Sequence, residues 1–292
     1  ASLSIAWLLV VIFLPDGLGG LIARFRDHWA DSVARRAGID VVKARHGDFD
    51  EAVSPLACEL DLAGIGAAAP NAERAGQPIL QVGGVARRFG GVVAVDGVTF
   101  DAAPGEIVGI IGPNGAGKTT LFEIIAGFTA PNDGSIIFDG VDVTKQTPEQ
   151  RARVGLVRSF QDAALFPTLT VRETLMLAQE RVEPSRLWGS IMGGREAERR
   201  KGELADELME RMALTPFATR TISELSTGTR RVVEIASLLA LEPRVLLLDE
   251  PSAGIAQSES EPLGELLLSI RRELGTTMII IEHDLPLLSH LC

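Results

Sequence analysis

Tyrosine is absent from this 292-residue chain, and aromatic residues make up only 5% of it. No aromatic platform for stacking nucleic-acid bases is therefore visible. Basic charge is also in deficit. Lys and Arg number 28 against 39 Asp and Glu, which gives a formal net charge of −11 and a pI of about 5.0. A nucleic-acid binder normally carries a basic face, so the balance argues against that class. The two cysteines, Cys58 and Cys292, lie too far apart for metal-ligand spacing and are read as unpaired thiols in a reducing compartment. The four histidines are too scattered for a zinc site. No internal repeat is present.

What remains is ordinary for a protein that buries a real core: 46% hydrophobic and 23% charged residues, enough chain for one large domain and an appendage. Residues 1–14 are an apolar run. Residues 16–38 turn polar and carry Arg24, Arg26, Arg35 and Arg36. Residues 39–77 are rich in Ala, Gly and Asp without a steady period, the composition of a linker. From Pro78 the pattern sharpens. Strands are predicted over 79–82 and 92–100 around Gly90 and Gly91, then over 107–111, with a helix that Gly127 can close. A strand over 136–138 runs into a tight turn at Asp139-Gly140. Thr170 and Glu173 form a capping box. A helix over 196–212 would put Leu204, Leu208 and Met212 on one face. A helix over 232–241 and strands over 245–248 and 278–281 complete an α/β class with a parallel sheet core.

Three stretches carry chemistry. GPNGAGKT at 112–119 fits the phosphate-binding pattern G-x-x-x-x-G-K-[ST], between a predicted strand and a predicted helix. Gly112, Gly115 and Gly117 let the backbone wrap phosphate oxygens, with Asn114 inside the loop and Thr120 just after it. Lys118 neutralises the β- and γ-phosphates, and Thr119 offers a hydroxyl to Mg²⁺. VLLLDE at 245–250 is an apolar strand ending in two carboxylates. Asp249 is placed to hold Mg²⁺ through water, and Glu250 to orient and deprotonate an attacking water. IIIEHD at 279–284 repeats the pattern and presents His283 to the γ-phosphate or to that water. A fourth stretch, LSTGTRR at 225–231, opens a helix. Ser226 and the Gly228 amide could donate to a phosphate, but on physics alone an ordinary helix start is the plainer reading.

In this order, the phosphate loop, the Gln161 of RSFQ, LSTGT, VLLLDEP and IEHD resemble the nucleotide-binding domain of ATP-binding cassette (ABC) transporters, over about 79–292. The resemblance implies an α/β P-loop NTPase of ABC type with a mostly parallel sheet core, added antiparallel strands and a helical subdomain. It implies ATP and Mg²⁺ as cofactors, and Phe89 of RRFGG stacked on adenine. Gln161 would sense Mg²⁺ and link to the membrane partner. Ser226 and Gly228 would reach the γ-phosphate held by a second ABC subunit in a head-to-tail homo- or heterodimer. More narrowly, ARRFGGVVAVDGVTF, RSFQ and LFPTLTVRETL are similar to the ATPases of bacterial branched-chain amino-acid importers. The lipopolysaccharide-export ATPases share much of this pattern.

Residues 1–22, with FLPDGLGGL, resemble the last helix of such an importer's permease. The expected arrangement is a permease end and juxtamembrane segment over 1–38, a linker over 39–77 and an ABC domain over 78–292. All three would lie in one polypeptide at the cytoplasmic face of a bacterial inner membrane, served by an extracytoplasmic solute-binding protein. The apolar run is only a partial span, with arginines on the side the positive-inside rule expects. A signal peptide would want basic residues before the run and none is present. A buried core segment is the competing reading.

Departures from the family pattern are also clear. Thr227 and Thr229 stand where the signature LSGGQ has Gly and Gln. The loop after the acid pair, SAGIAQ, has no acid until Glu259. The chain stops nine residues after His283, so an edge strand is expected to be missing. Rival functions are a non-transport ABC ATPase acting on chromatin or ribosomes, which the acidic charge opposes, and a binding-only switch that does not turn over ATP.

Overall fold

The computed structural model of the chain describes residues 55–57, 62, 76–159, 165–180 and 195–292. Two four-stranded sheets organise them. The first is antiparallel, in the order β2-β1-β4-β5, built from β1 (Leu80–Phe89), β2 (Val92–Ala102), β4 (Asp133–Phe138) and β5 (Val141–Asp142). β1 and β2 meet as a hairpin at Gly90-Gly91, and Phe89 pairs with Val92. The Asp139-Gly140 turn joins β4 to β5 with both residues at positive φ, 49° and 72°. That is the backbone a two-residue hairpin of this hand requires.

The second sheet is parallel, in the order β3-β8-β7-β6, from β3 (Ile107–Ile110), β6 (Leu156–Arg158), β7 (Val245–Asp249) and β8 (Thr277–Ile281). Its central strands are continuous apolar runs because both faces are covered. Along β7, Val245 and Leu247 enter one core while Leu246 and Leu248 enter the other. Along β8, Ile279 and Ile281 alternate with Met278 and Ile280 in the same way. Each of these side chains is fully buried, worth roughly 1.5–3 kcal/mol apiece.

The first core lies between the two sheets around α1 (Lys118–Ala126), which buries Leu121, Phe122, Ile124 and Ile125. Gly117 and Gly127 start and close α1 in the left-handed conformation. Its C-terminal carbonyls have an unusual partner. Arg151, on α2 (Pro148–Arg153), is buried and donates to Ile124 O and Ile125 O at 2.6 Å and to Thr144 O at 2.8 Å. Burial pushes its guanidinium down to about 10. The cation still sits where the helix dipole is negative.

The second core is helical. It gathers α3 (Val171–Gln179), α4 (Arg195–Arg211), α5 (Thr227–Leu239), α6 (Gln257–Leu274) and α7 (Leu285–Leu291) on the other face of the parallel sheet. The Thr170–Glu173 capping box opens α3. In α4 the expected face needs correction. Leu208 and Met212 are buried, but Leu204 is 51% exposed and its place is taken by Ala205 and Met209. On a 3.6-residue helix the buried positions 205, 208, 209 and 212 span a stripe of about 100°, and position 204 falls about 40° beyond its edge.

The architecture is the expected one, a parallel core with antiparallel strands and a helical subdomain. Within the stretch expected to be linker, a 3₁₀ turn at Pro55–Ala57 packs on α5 and α6, and Leu56 and Leu62 are buried in the helical core. The Leu62 amide donates to Glu273 of α6 at 2.9 Å. The apolar run at the start of the chain lies outside the described residues. Among those described, no helix is long and apolar enough to cross a membrane. Cys292 is free and exposed, and Cys58 lies outside the described residues.

Candidate functional site

Register brings the chemistry to one edge. Ile110 of β3 pairs with Ile281 of β8, and Ile281 pairs with Asp249 of β7. The three strands therefore end level, and their outgoing loops emerge side by side. After β3 comes the phosphate loop, after β7 comes Glu250, and after β8 come Glu282 and His283. Carboxyl ends of parallel strands are where a ligand crevice forms.

Gly115 and Gly117 take φ of 81° and 86°, a region closed to most side chains. At Gly117 the reason is also spatial, since a Cβ there would fall 1.9 Å from the Ala94 carbonyl of β2. Lys118 heads α1 and its Nζ donates to Gly112 O at 2.8 Å and Pro113 O at 3.0 Å. Asn114 is exposed, while Gly112, Thr119 and Thr120 are half-buried. Between β2 and this loop lies an open cleft of about 680 Å³, lined by Val93, Ala94, Ile111, Ala116, Gly117 and Lys118 among others. Phe89, at the end of β1, is 47% exposed, with the Arg87 guanidinium 4.6 Å from its ring centre.

Asp249 is 1% exposed. Its Oδ2 accepts from Arg158 Nη2 of β6 at 3.1 Å, and its amide donates to Ser159 Oγ at 3.1 Å. Burial raises its carboxyl above the usual range, with Arg158 and Lys118 opposing and Glu250 adding to the rise. The other oxygen, Oδ1, is buried with no hydrogen-bond partner. An acceptor-only atom left without a donor is costly unless a cation completes it. Asp249 and the Thr119 hydroxyl thus fit a hard divalent ion such as Mg²⁺, which favours oxygen ligands. Gln161, the third residue expected there, lies outside the described residues.

Glu250 comes next in the left-handed conformation, φ 49°, with its amide donating to Ile281 O at 2.9 Å. This turn directs the carboxylate to His283, and Oε1 stands 3.0 Å from His283 Nε2. A carboxylate only accepts, so Nε2 carries the proton. Both side chains remain part-exposed.

Ser226 and Gly228 head α5. Ser226 is its N-cap, and its Oγ accepts from the Thr229 amide at 3.1 Å and lies 3.0 Å from Thr229 Oγ1. Thr229, standing where the family signature has Gln, thus ties down the serine. Ser226 is exposed, Gly228 is buried, and the Glu259 carboxylate lies over Gly228, so close that a Cβ there would meet Glu259 Oε1 at 2.6 Å.

Sequence reasoning missed three residues. Arg158 is a charge within a short buried strand. Glu282 is a carboxylate directly after four buried apolar residues. Glu259 stood out only as the first acid after the altered loop. In the first two cases a charged residue adjoining an apolar strand was the available signal.

The ABC transporter family model matches residues 95–253. The high-affinity branched-chain amino acid transport ATP-binding protein LivG of Escherichia coli K12 is 39% identical over 214 residues, 72% of this chain and 84% of LivG. The structure is similar to the ADP conformation of MJ1267, an ATP-binding cassette of an ABC transporter. That likeness has a TM-score of 0.63 and 30% identity, and covers 73% of this chain and 85% of that one. It is also similar to the dimeric, post-hydrolysis state of the cassette MJ0796 bound to ADP and Pi, with a TM-score of 0.60 and 26% identity, over 72% and 90% of the two chains. With the phosphate loop, the acid pair and the histidine converging on one sheet edge, the chain belongs to the ABC transporter family as an ATP-hydrolysing cassette, the ATP-binding component of a transporter.

Proposed function

We propose that this cassette powers import of branched-chain amino acids or related solutes, joined in one polypeptide to its permease at the cytoplasmic face of a bacterial inner membrane. The likeness to LivG supports the solute class, and the permease-like residues 1–22 support the fusion. An extracytoplasmic solute-binding protein would deliver the cargo. The observation that carries the catalytic reading is the Glu250–His283 contact beside the phosphate loop.

On this reading Phe89 stacks on adenine, and the amides around Gly112, Asn114, Gly115, Gly117 and Thr120 face the phosphates. Lys118 neutralises the β- and γ-oxygens. Thr119, Asp249 and Gln161 would hold Mg²⁺, which when bound neutralises charge across the β- and γ-phosphates. Glu250 takes a proton from water as the water oxygen bonds to the γ-phosphorus. The bond from that phosphorus to the bridging oxygen breaks, its electron pair stays on the β-phosphate, and ADP and inorganic phosphate result. His283 holds Glu250 in place through its Nε2 proton. Ser226 and Gly228 donate to the γ-phosphate bound by a second cassette, so that ATP closes two subunits and hydrolysis reopens them.

The test is uptake of labelled leucine, isoleucine and valine into membrane vesicles from cells expressing the polypeptide with its permease. Uptake that requires ATP and is lost in Lys118→Ala and Glu250→Gln is expected. Uptake indifferent to both variants would overturn the import assignment.

A further inference from the structure

Glu282 is 2% exposed, directly precedes His283 and has no part in the steps above. Its Oε1 accepts from the Ser252 amide at 2.7 Å, and its Oε2 accepts from the amides of His283 at 3.0 Å and Asp284 at 3.5 Å. Ser252 belongs to the loop that leaves Glu250. His283 and Asp284 belong to the loop that leaves β8, and Asp284 goes on to cap α7 through Leu287. One buried carboxylate thus fastens together two loops 30 residues apart in sequence. It does so with backbone donors, and no ion pair to it occurs among the described residues.

The consequence is geometric. Glu250 and His283 are part-exposed side chains on separate loops, and neither loop is regular structure where it carries them. Their 3.0 Å separation holds only as long as the loops keep their spacing. The Ile281 carbonyl ties the Glu250 amide from one side. Glu282 supplies the second tie, beyond Glu250, through Ser252. Residue types that hydrogen-bond only locally could not reach across. A charged acceptor with two oxygens can serve both loops at once.

We infer that Glu282 is a positioning residue for hydrolysis, setting the Glu250–His283 contact and the course of residues 251–256. The inference rests on the reading of Glu250 and His283 as the reacting pair. Glu282 is buried and its hydrogen bonds among the described residues go to backbone amides, so it acts through its two loops.

The test uses the full chain in detergent. Glu282→Gln keeps the shape and one acceptor but turns an amide NH₂ toward backbone N–H donors. Glu282→Asp keeps the charge but shortens the reach. Both are expected to lower kcat on the order of 10- to 100-fold while leaving the KM for ATP and the affinity for a fluorescent ATP analogue within about twofold. In a His283→Ala background, Glu282→Gln should cost little more, because the contact it sets is already gone. A kcat near wild type in either variant overturns the inference. So does a loss of nucleotide affinity that parallels the loss of kcat, or a full additional loss in the His283→Ala background. If Glu250→Gln and His283→Ala themselves turn over normally, it is the assignment of the pair that fails.

Discussion

Glu250 Oε1 and His283 Nε2, 33 residues apart in the chain, stand 3.0 Å apart and join the ends of two strands. The contact exists because Glu250 accepts a left-handed backbone, a conformation that costs a residue with a Cβ about 1–2 kcal/mol. In an extended conformation the chain would continue the line of β7 and carry the carboxylate away from β8. Replacing Glu250 by Gln keeps the shape and removes the proton acceptor. Turnover is expected to fall about 10²–10⁴-fold with nucleotide affinity retained, read by phosphate release and by equilibrium binding. Turnover within twofold of wild type would remove Glu250 from the mechanism.

Arg158 is the only basic side chain bonded to Asp249 among the described residues. In Arg158→Met that carboxylate is stranded in the core, a loss expected at about 3–5 kcal/mol in urea denaturation. The pH response has a definite sign. Asp249 has a raised folded-state pKa, so the native state holds its proton longer than the unfolded chain does. Its contribution to stability therefore declines as pH rises from the unfolded value, 3.8, through the folded one. Without Arg158 the folded value climbs further and the decline extends to higher pH. Arg158→Met combined with Asp249→Asn should recover most of the loss and flatten the slope. Equal stability of wild type and Arg158→Met across that range would show the pair to be dispensable.

Two glycines of the phosphate loop should answer differently to alanine. Gly115 has open space around a new Cβ, so Gly115→Ala meets only backbone strain of about 1–2 kcal/mol. Gly117→Ala collides with the backbone of β2 and must displace a strand or the loop itself. Isothermal titration with ATP should show binding preserved within about thirtyfold in the first and lost in the second, 2 kcal/mol being about thirtyfold. Similar affinities would mean that the approach of Ala94 to Gly117 is not needed for binding.

Leu56 and Leu62 fill the helical core from outside the cassette's own span of homology. At roughly 1.5–3 kcal/mol each, a chain trimmed to Pro78 should be less stable by about 3–6 kcal/mol than one that begins at Val53, and should melt about 10 °C lower. ATP binding should survive, because neither leucine lines the nucleotide cleft. Identical melting temperatures would show that the docking contributes nothing.

The candidate site was legible in the chain because its parts are local. A phosphate loop declares itself through glycine spacing, and Asp249 and Glu250 through the apolar strand they terminate. What escaped was non-local. Nothing beside Arg158 in sequence announces that its partner lies 91 residues away. Nothing near Glu282 shows that Ser252 will supply a donor. Leu56 and Leu62 sit in an Ala-rich stretch without period, where a buried leucine looks like any other. Leu204 failed in the opposite sense, since its spacing suggested a buried face that the pitch of α4 carries round to solvent.

The Leu62–Glu273 hydrogen bond spans 211 positions, and that span sets an order of events during synthesis. Leu56 and Leu62 leave the ribosome before the helices that receive them, α5 and α6, are translated. At about 5–20 residues per second the interval is roughly 10–40 s. Over that time two leucines bound for a core are held in water, with the strands of both sheets emerging beside them. The antiparallel sheet can form first, from residues close in sequence, but the helical core must wait for the last quarter of the chain. Seating of Leu56 and Leu62 is thus a late event of folding, one that waits for the cassette's own helices.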